Sequence, residues 1–317
     1  MAGRGATLVI HPGALGDVLQ AVPALRALRA AGSITFAGQP RLGGLLHGLG
    51  LVDAAVPFDA LGISALFTGE PLPAALEERL TGFARVVSWF GARDATYRER
   101  LGRAARHVVI ASPVPSDTSP VPVWRQLVDT VADTIGATAS PATAPVPIPA
   151  PWRIAAIRAL DRLGVRPDDR LLVVHPGAGA AWKCWPANEL AHAIALVRRE
   201  EDVRVVVHQG PADRDAVARM LRELAEPTTL LIEPELPLLS AVLSDAAAYL
   251  GSDSGVSHLA AAVGARGIIR FPAATRDRWL PWSSTARPLA LAPEVERPDD
   301  VARAVASILR VSPNARA

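Results

Sequence analysis

Two series of short apolar runs, alternating with helical segments and separated by one proline-crowded stretch, limit the folds open to this chain. The first series is ATLVI at 6–10, SITFA at 33–37, VDAAV at 52–56, ARVVSW at 84–89 and HVVI at 107–110. The second is RLLVV at 170–174, VRVVV at 203–207, TTLLI at 228–232, AAAYL at 246–250 and GIIRF at 267–271. Continuously apolar strands with helices between them are what a parallel sheet covered on both faces requires. Between the series, 136–151 reads GATASPATAPVPIPAP, low in charge and rich in proline, hence a linker. The pattern predicts two α/β domains. A helix is expected from about Asp17, with Val18, Val22, Leu25 and Leu28 on one face and a kink at Pro23, and another over about 152–164.

Composition excludes several classes. At 317 residues the chain is long enough for two cores, and its net charge of +2 argues against recruitment to nucleic acid by bulk electrostatics. Cys184 is the single cysteine, so neither an internal disulfide nor a cysteine zinc site is open to it, and a small packed residue is expected. The N-terminal apolar run is too short for a secretory signal, and no apolar run reaches membrane length. A soluble, cytoplasmic protein is expected.

Three blocks carry candidate chemistry, each just after an apolar run. The first is Gly13-Ala14-Leu15-Gly16-Asp17, where glycines admit a ligand close to the backbone and Asp17 is either a carboxylate over the crevice or a helix cap. The second is LLVVHPGAGAAWKCWP at 171–186. Its turn, Gly177-Ala178-Gly179, can aim N–H groups at an anion, and Lys183 can supply the countercharge. Lys183 is the only lysine among 33 basic residues, so a compact ammonium was kept where arginine is the rule. Trp182 and Trp185 beside it are expected to pack the start of a helix. The third block is Gly251-Ser252-Asp253-Ser254-Gly255-Val256-Ser257-His258. Its hydroxyls and helix N-terminus suit an anion, whereas Asp253 would accept hydrogen bonds from sugar hydroxyls or helix amides. His258 alone reads as an interior histidine. The tetrapeptide His-Pro-Gly-Ala recurs at 11–14 and 175–178, placing similar turns at the front of both domains. Neither a dinucleotide fingerprint nor a Walker loop is present, which removes a nicotinamide-dependent reading.

Together the blocks resemble glycosyltransferase family 9, the ADP-heptose heptosyltransferases. The family's G-x-x-G-D appears as Gly13 to Asp17, its HPG block with K-x-W-P as His175 to Pro186, and its D-[ST]-G-x-x-H-L-x-A-A as Asp253 to Ala262. A variant of its F-G-P-T segment appears at Phe271 to Thr275. The resemblance implies the GT-B fold: two Rossmann-like domains whose parallel sheets face across a cleft. It implies an acceptor domain at 1–150, a nucleotide-sugar domain at 151–297, and a C-terminal helix at 298–317 returning to the N-terminal domain. Two departures stand out. Ala178 and Gly179 replace hydroxyl residues, leaving phosphate binding to backbone N–H groups, and Asp213 stands where the family has a ribose-contacting glutamate.

The implied activity is inverting, metal-independent transfer of a sugar, heptose from ADP-heptose, to a lipopolysaccharide core or related glycan. Asp17 would be the general base, and Gly13, Gly16 and Arg93 would bind acceptor. Lys183, Gly177, Ala178, Gly179, Asp213, Asp253, Ser254, Gly255, Ser257 and His258 would bind donor. No cofactor, no metal and no nucleic-acid partner is expected, since Asp213-Arg214-Asp215 reads as a helix start. The acceptor reading rests on 93–106, with five arginines against two acids, a patch suited to an anionic glycolipid at the inner face of the cytoplasmic membrane. The alternatives are a non-catalytic nucleotide-sugar-binding module and a transferase of the same fold using another nucleotide sugar.

Overall fold

The computed structural model describes residues 5–116, 119–135, 142–283, 288–290 and 297–311. The chain divides into two compact units, Met1–Thr143 and Ala144–Ala317. The division falls inside the proline-rich stretch, of which 136–141 lie outside the described residues. It comes a few residues before the expected end of the first domain at 150. Val146 already donates its N–H to Ala262 O at 2.8 Å, and the helix Ala150–Arg162 packs on the helix Leu236–Ser244.

The first unit holds five strands: β1 (Thr7–Ile10), β2 (Ile34–Gly38), β3 (Ala54–Pro57), β4 (Arg85–Ser88) and β5 (Val108–Ile110). They pair in the order β3-β2-β1-β4-β5, all parallel. In β1 every residue is buried, because β2 and β4 flank it and helices cover both faces; Val9 lies opposite Phe36 and Val87. The expected kink at Pro23 is a break. Helices Leu15–Gln20 and Val22–Ala31 meet at Ala21, and Pro23 occupies the first turn of the second helix, where a missing N–H costs nothing.

The second unit holds β6 (Leu171–His175), β7 (Arg204–Gln209), β8 (Thr229–Ile232), β9 (Ala248–Ser252), β10 (Gly267–Arg270) and β11 (Pro288–Ala290). Their order is β11-β10-β9-β6-β7-β8, again parallel. The sequence pattern did not mark β11, whose three residues are too few to show a period.

The last helix, Pro298–Val311, corrects an expectation. Rather than returning to the N-terminal domain, it buries Val301, Ala302, Val305 and Leu309 in the second unit's core with Leu190, Ile194 and Val197. Each buried valine or leucine side chain is worth roughly 1.5–3 kcal/mol over exposure, so its apolar stripe commits it there. Arg170 fastens its end, donating to Leu309 O at 2.6 Å. Among the described residues, no helix is long and apolar enough to cross a membrane.

In each sheet the strand order reverses at one place, between β1 and β4 and between β6 and β9. Ligands of open α/β sheets bind beyond the carboxyl ends of the strands at such reversals. All three sequence blocks begin there.

Candidate functional site

In the second unit the loops after β6 and β9 are joined at the reversal. Ser252 Oγ accepts the Trp185 N–H at 3.0 Å and donates to Pro176 O at 3.1 Å. This bridge places the short 3-10 turn Ala181–Lys183 beside Asp253. Lys183 Nζ then lies 2.9 Å from Asp253 Oδ2, with Lys183 partly exposed and Asp253 only 4% exposed. His258 completes the row, its Nε2 4.0 Å from Asp253 Oδ1. Asp253 is thus neither a helix cap nor open for sugar hydroxyls alone: its nearest partner is the ammonium, because a carboxylate this deeply buried needs a countercharge.

The cap of the helix Gly255–Ala262 is Ser254, whose Oγ accepts the Ser257 N–H at 3.2 Å. Ser257 Oγ donates to Ser252 O at 2.5 Å and lies 2.8 Å from the Tyr249 hydroxyl. Both serine hydroxyls, expected to bind donor, are therefore used in fixing the loop. What this block presents to a ligand is backbone at Gly255 and Val256, both partly exposed.

Gly177, Ala178 and Gly179 differ from one another. Gly177 is buried, and any Cβ there would collide with the Asp213 carboxylate. Gly179 is exposed with nothing within 4 Å of where a Cβ would stand. An anion avoids a carboxylate, which leaves Ala178, Gly179 and Lys183 as the side of the turn able to receive one. Asp213 is partly exposed, with Oδ2 accepting the Gly210 N–H at 2.9 Å and Oδ1 set against Gly177. Asp213 is the N-cap of the helix Arg214–Glu223, and Asp215 lies exposed in its first turn. Trp185 packs as expected at 3% exposure; Trp182 does not, being 63% exposed with its ring centre 5.6 Å from Lys183 Nζ. Cys184 is half-buried in the same segment.

In the first unit, β1 delivers His11 and the turn to Asp17. His11 is 1% exposed and stacks edge-on to Trp89, the residue after β4, at 5.7 Å. Gly13 must be glycine: a Cβ would stand 2.7 Å from the His11 ring and 2.9 Å from Asp17 Cβ. Gln39 Nε2 donates to Gly13 O at 3.1 Å, steadying the turn. Asp17 Oδ2 accepts the Ala14 N–H at 3.0 Å, so the capping role is present; the side chain is also partly exposed at the reversal. Capping fixes its direction, and a carboxylate held this way can still accept a proton. Gly16 follows inside the first helical turn.

The arginine segment disperses. Arg93 and Arg98 are exposed, Arg93 in the turn after β4. Arg100 donates to Glu70 O, and Arg103 pairs with Glu99 at 2.6 Å. Arg106 lines a groove with Arg85 and Asp133 at the amino ends of β4 and β5, the opposite edge of the sheet. The helix Ala95–Ala104 carries these side chains around its axis, so proximity in sequence does not make one patch. Arg93 alone stands at the carboxyl end of a strand beside the reversal.

Sequence reasoning missed His208, which ends an apolar run in β7. A polar residue in a strand buried on both faces was the available signal. Its Nδ1 lies 3.0 Å from His175 Nδ1.

Burial pushes His11, His175 and His258 down to about 4. His208 falls to about 3, by burial and then by His175 beside it. An unfolded histidine titrates near 6.5, so between that value and about 4 the unfolded chain binds more protons than the folded one. Stability is therefore lost as pH falls through this window, each histidine contributing up to about 1.4 kcal/mol per pH unit. Tm measured from about pH 7.5 to about pH 5 is expected to drop steadily; a flat profile would contradict the neutral, buried assignment.

A protein-family model described as glycosyltransferase family 9 (heptosyltransferase) matches residues 114–304. Two Escherichia coli proteins named lipopolysaccharide heptosyltransferase 3 are similar. One, from strain K12, is 32% identical over 130 residues, covering 40% of this chain and 37% of that protein. The other is 33% identical over 142 residues, covering 43% and 40%. The match thus spans well under half of either relative. Among solved structures, a glycosyltransferase family 9 protein from Veillonella parvula DSM 2008 superposes with a TM-score of 0.77 at 16% identity, over 96% of this chain and 97% of that one. E. coli ADP-heptose lps heptosyltransferase II gives 0.70 at 18%, over 96% and 98%. E. coli heptosyltransferase WaaC with ADP gives 0.66 at 17%, over 97% and 100%. At such identities the likeness concerns the fold, which is GT-B.

Proposed function

The chain belongs to glycosyltransferase family 9, and from that premise we propose that it transfers heptose from ADP-heptose to a lipopolysaccharide core or related anionic glycan. The observation that carries this reading is the second unit's reversal, where the only lysine of the chain is held beside a buried aspartate next to an open turn. In our reading the donor's diphosphate lies against Ala178, Gly179 and the N-terminus of the helix Gly255–Ala262, with Lys183 turning from Asp253 toward it. Asp253, relieved of the ammonium, then accepts from the sugar hydroxyls. Asp17 takes the acceptor proton as the new bond forms, and displacement from the face opposite the diphosphate inverts the anomeric centre. Charge on the departing diphosphate is met by Lys183 and helix N–H groups, so the displacement is metal-independent in this account. The protein would work in the cytoplasm, peripheral to the inner face of the membrane.

Two alternatives are separable. A non-catalytic nucleotide-sugar-binding module would have no use for a carboxylate fixed at the first unit's reversal, which favours the enzyme. The nucleotide is tested by affinities for ADP, UDP, GDP and dTDP: ADP is expected to bind at least tenfold more tightly than the others, and a tighter UDP, GDP or dTDP would replace the donor assignment.

For the acceptor, Arg93→Ala is expected to raise the acceptor KM several-fold, leave donor affinity unchanged and flatten the salt dependence of acceptor binding. An acceptor KM equal to that of the parent chain at low and high salt would place the acceptor elsewhere.

A further inference from the structure

We propose that His175, His208 and Asp213 form a divalent transition-metal site in the second unit, beneath the turn that begins at Gly177. Each of the three offers one ligand atom, and these atoms lie within 4.8 Å of one another. The strand register explains the pair. Val174 of β6 lies opposite Val207 of β7, so the next positions, His175 and His208, sit side by side on one face of the sheet. Their Nδ1 atoms face each other 3.0 Å apart, with ring centres at 4.9 Å.

The separation suits a shared cation. With metal–nitrogen bonds of about 2.1 Å, two nitrogens 3.0 Å apart subtend about 90° at the metal, the cis angle of an octahedron. Two imidazoles and one carboxylate leaving further positions for water is a donor set for Fe²⁺, Mn²⁺, Co²⁺, Ni²⁺ or Zn²⁺. Asp213 is aimed by its surroundings, as metal-binding carboxylates are. The Gly210 N–H holds Oδ2, and Oδ1 stands against Gly177 where no side chain could fit. Asp213 is also the partly exposed member, so the cluster opens to solvent on its side.

The site's role is positional. A cation joining the ends of β6 and β7 to Asp213 pins the carboxylate that borders Gly177, and with it the start of the turn leading to Lys183. It touches no reacting atom in the account above and does not depend on that account.

The test uses Co²⁺ and the full-length chain, freed of metal by a chelator and dialysed. Expected results are uptake of one Co²⁺ per chain, d–d absorption bands in the visible, and a Tm raised by several degrees. His208→Gln and Asp213→Asn are each expected to abolish the bands and the Tm shift. Should His208→Gln fail to fold, Asp213→Asn decides, because an amide in place of a partly exposed carboxylate leaves the core intact. Absence of Co²⁺ uptake by the parent chain, or undiminished uptake by a folded variant, overturns the proposal.

Discussion

Asp17→Asn is expected to lower turnover by about two to four orders of magnitude while leaving the fold and donor affinity intact. The local geometry makes this substitution unusually clean. Asp17 Oδ2 accepts the Ala14 N–H, and the amide oxygen of asparagine can accept it too. Asp17 stands at the third position of its helix, so asparagine keeps this back-bond and gives up only the attraction of a charge to the helix N-terminus, about 0.3–1 kcal/mol. What is removed is basicity. Asp17→Ala would remove cap and base together and confound the two, so the asparagine variant is the informative one. Turnover within threefold of the parent would assign Asp17 to capping alone.

Lys183→Ala is expected to lose on two counts. The diphosphate loses a charge-assisted partner, worth about 1.5–3 kcal/mol, which is roughly tenfold to a hundredfold in donor affinity. Asp253, 4% exposed, also loses its ion-pair partner, and stranding a buried charge costs about 3–5 kcal/mol before discounting for the partial exposure of Lys183. The double variant Lys183→Ala with Asp253→Asn separates the effects: stability should return, since no charge is left buried, and donor affinity should not. Lys183→Arg should rescue poorly, because a planar fork does not fit a site where one ammonium serves Asp253 and then an anion. Full rescue by arginine would contradict the reading of this lysine as a point charge.

Much of the fold was legible because it is written locally. A strand buried on both faces is a short apolar run, and the ten expected runs fall on β1 to β10 within two residues, although β3 at the sheet edge is mostly exposed. The two units and the proline-rich break between them follow from the same pattern. The site was legible in position and less so in detail. Gly13 and Gly177 were marked for backbone approach to a ligand, yet each is a glycine because a neighbouring side chain leaves no room for a Cβ. Ser254 and Ser257, expected to offer hydroxyls to a donor, also brace their own loop. Which partner a buried polar group finds depends on residues tens of positions away, as Asp253 with Lys183 and His208 with His175 illustrate. Register between strands brings these together, and no local window contains it. The arginines of 93–106 mislead for a related reason, since a helix distributes consecutive charges around its circumference.

Whether this chain is a working sugar transferase is decided by incubating it with ADP-heptose and a heptose-deficient lipopolysaccharide core while following ADP release and the glycan product. On the transferase reading, ADP and extended glycan are expected in equal amounts, with the new linkage of opposite anomeric configuration to the donor, and both products are lost with Asp17→Asn. Tight binding of ADP-heptose without ADP release or product would contradict it and leave a binding module.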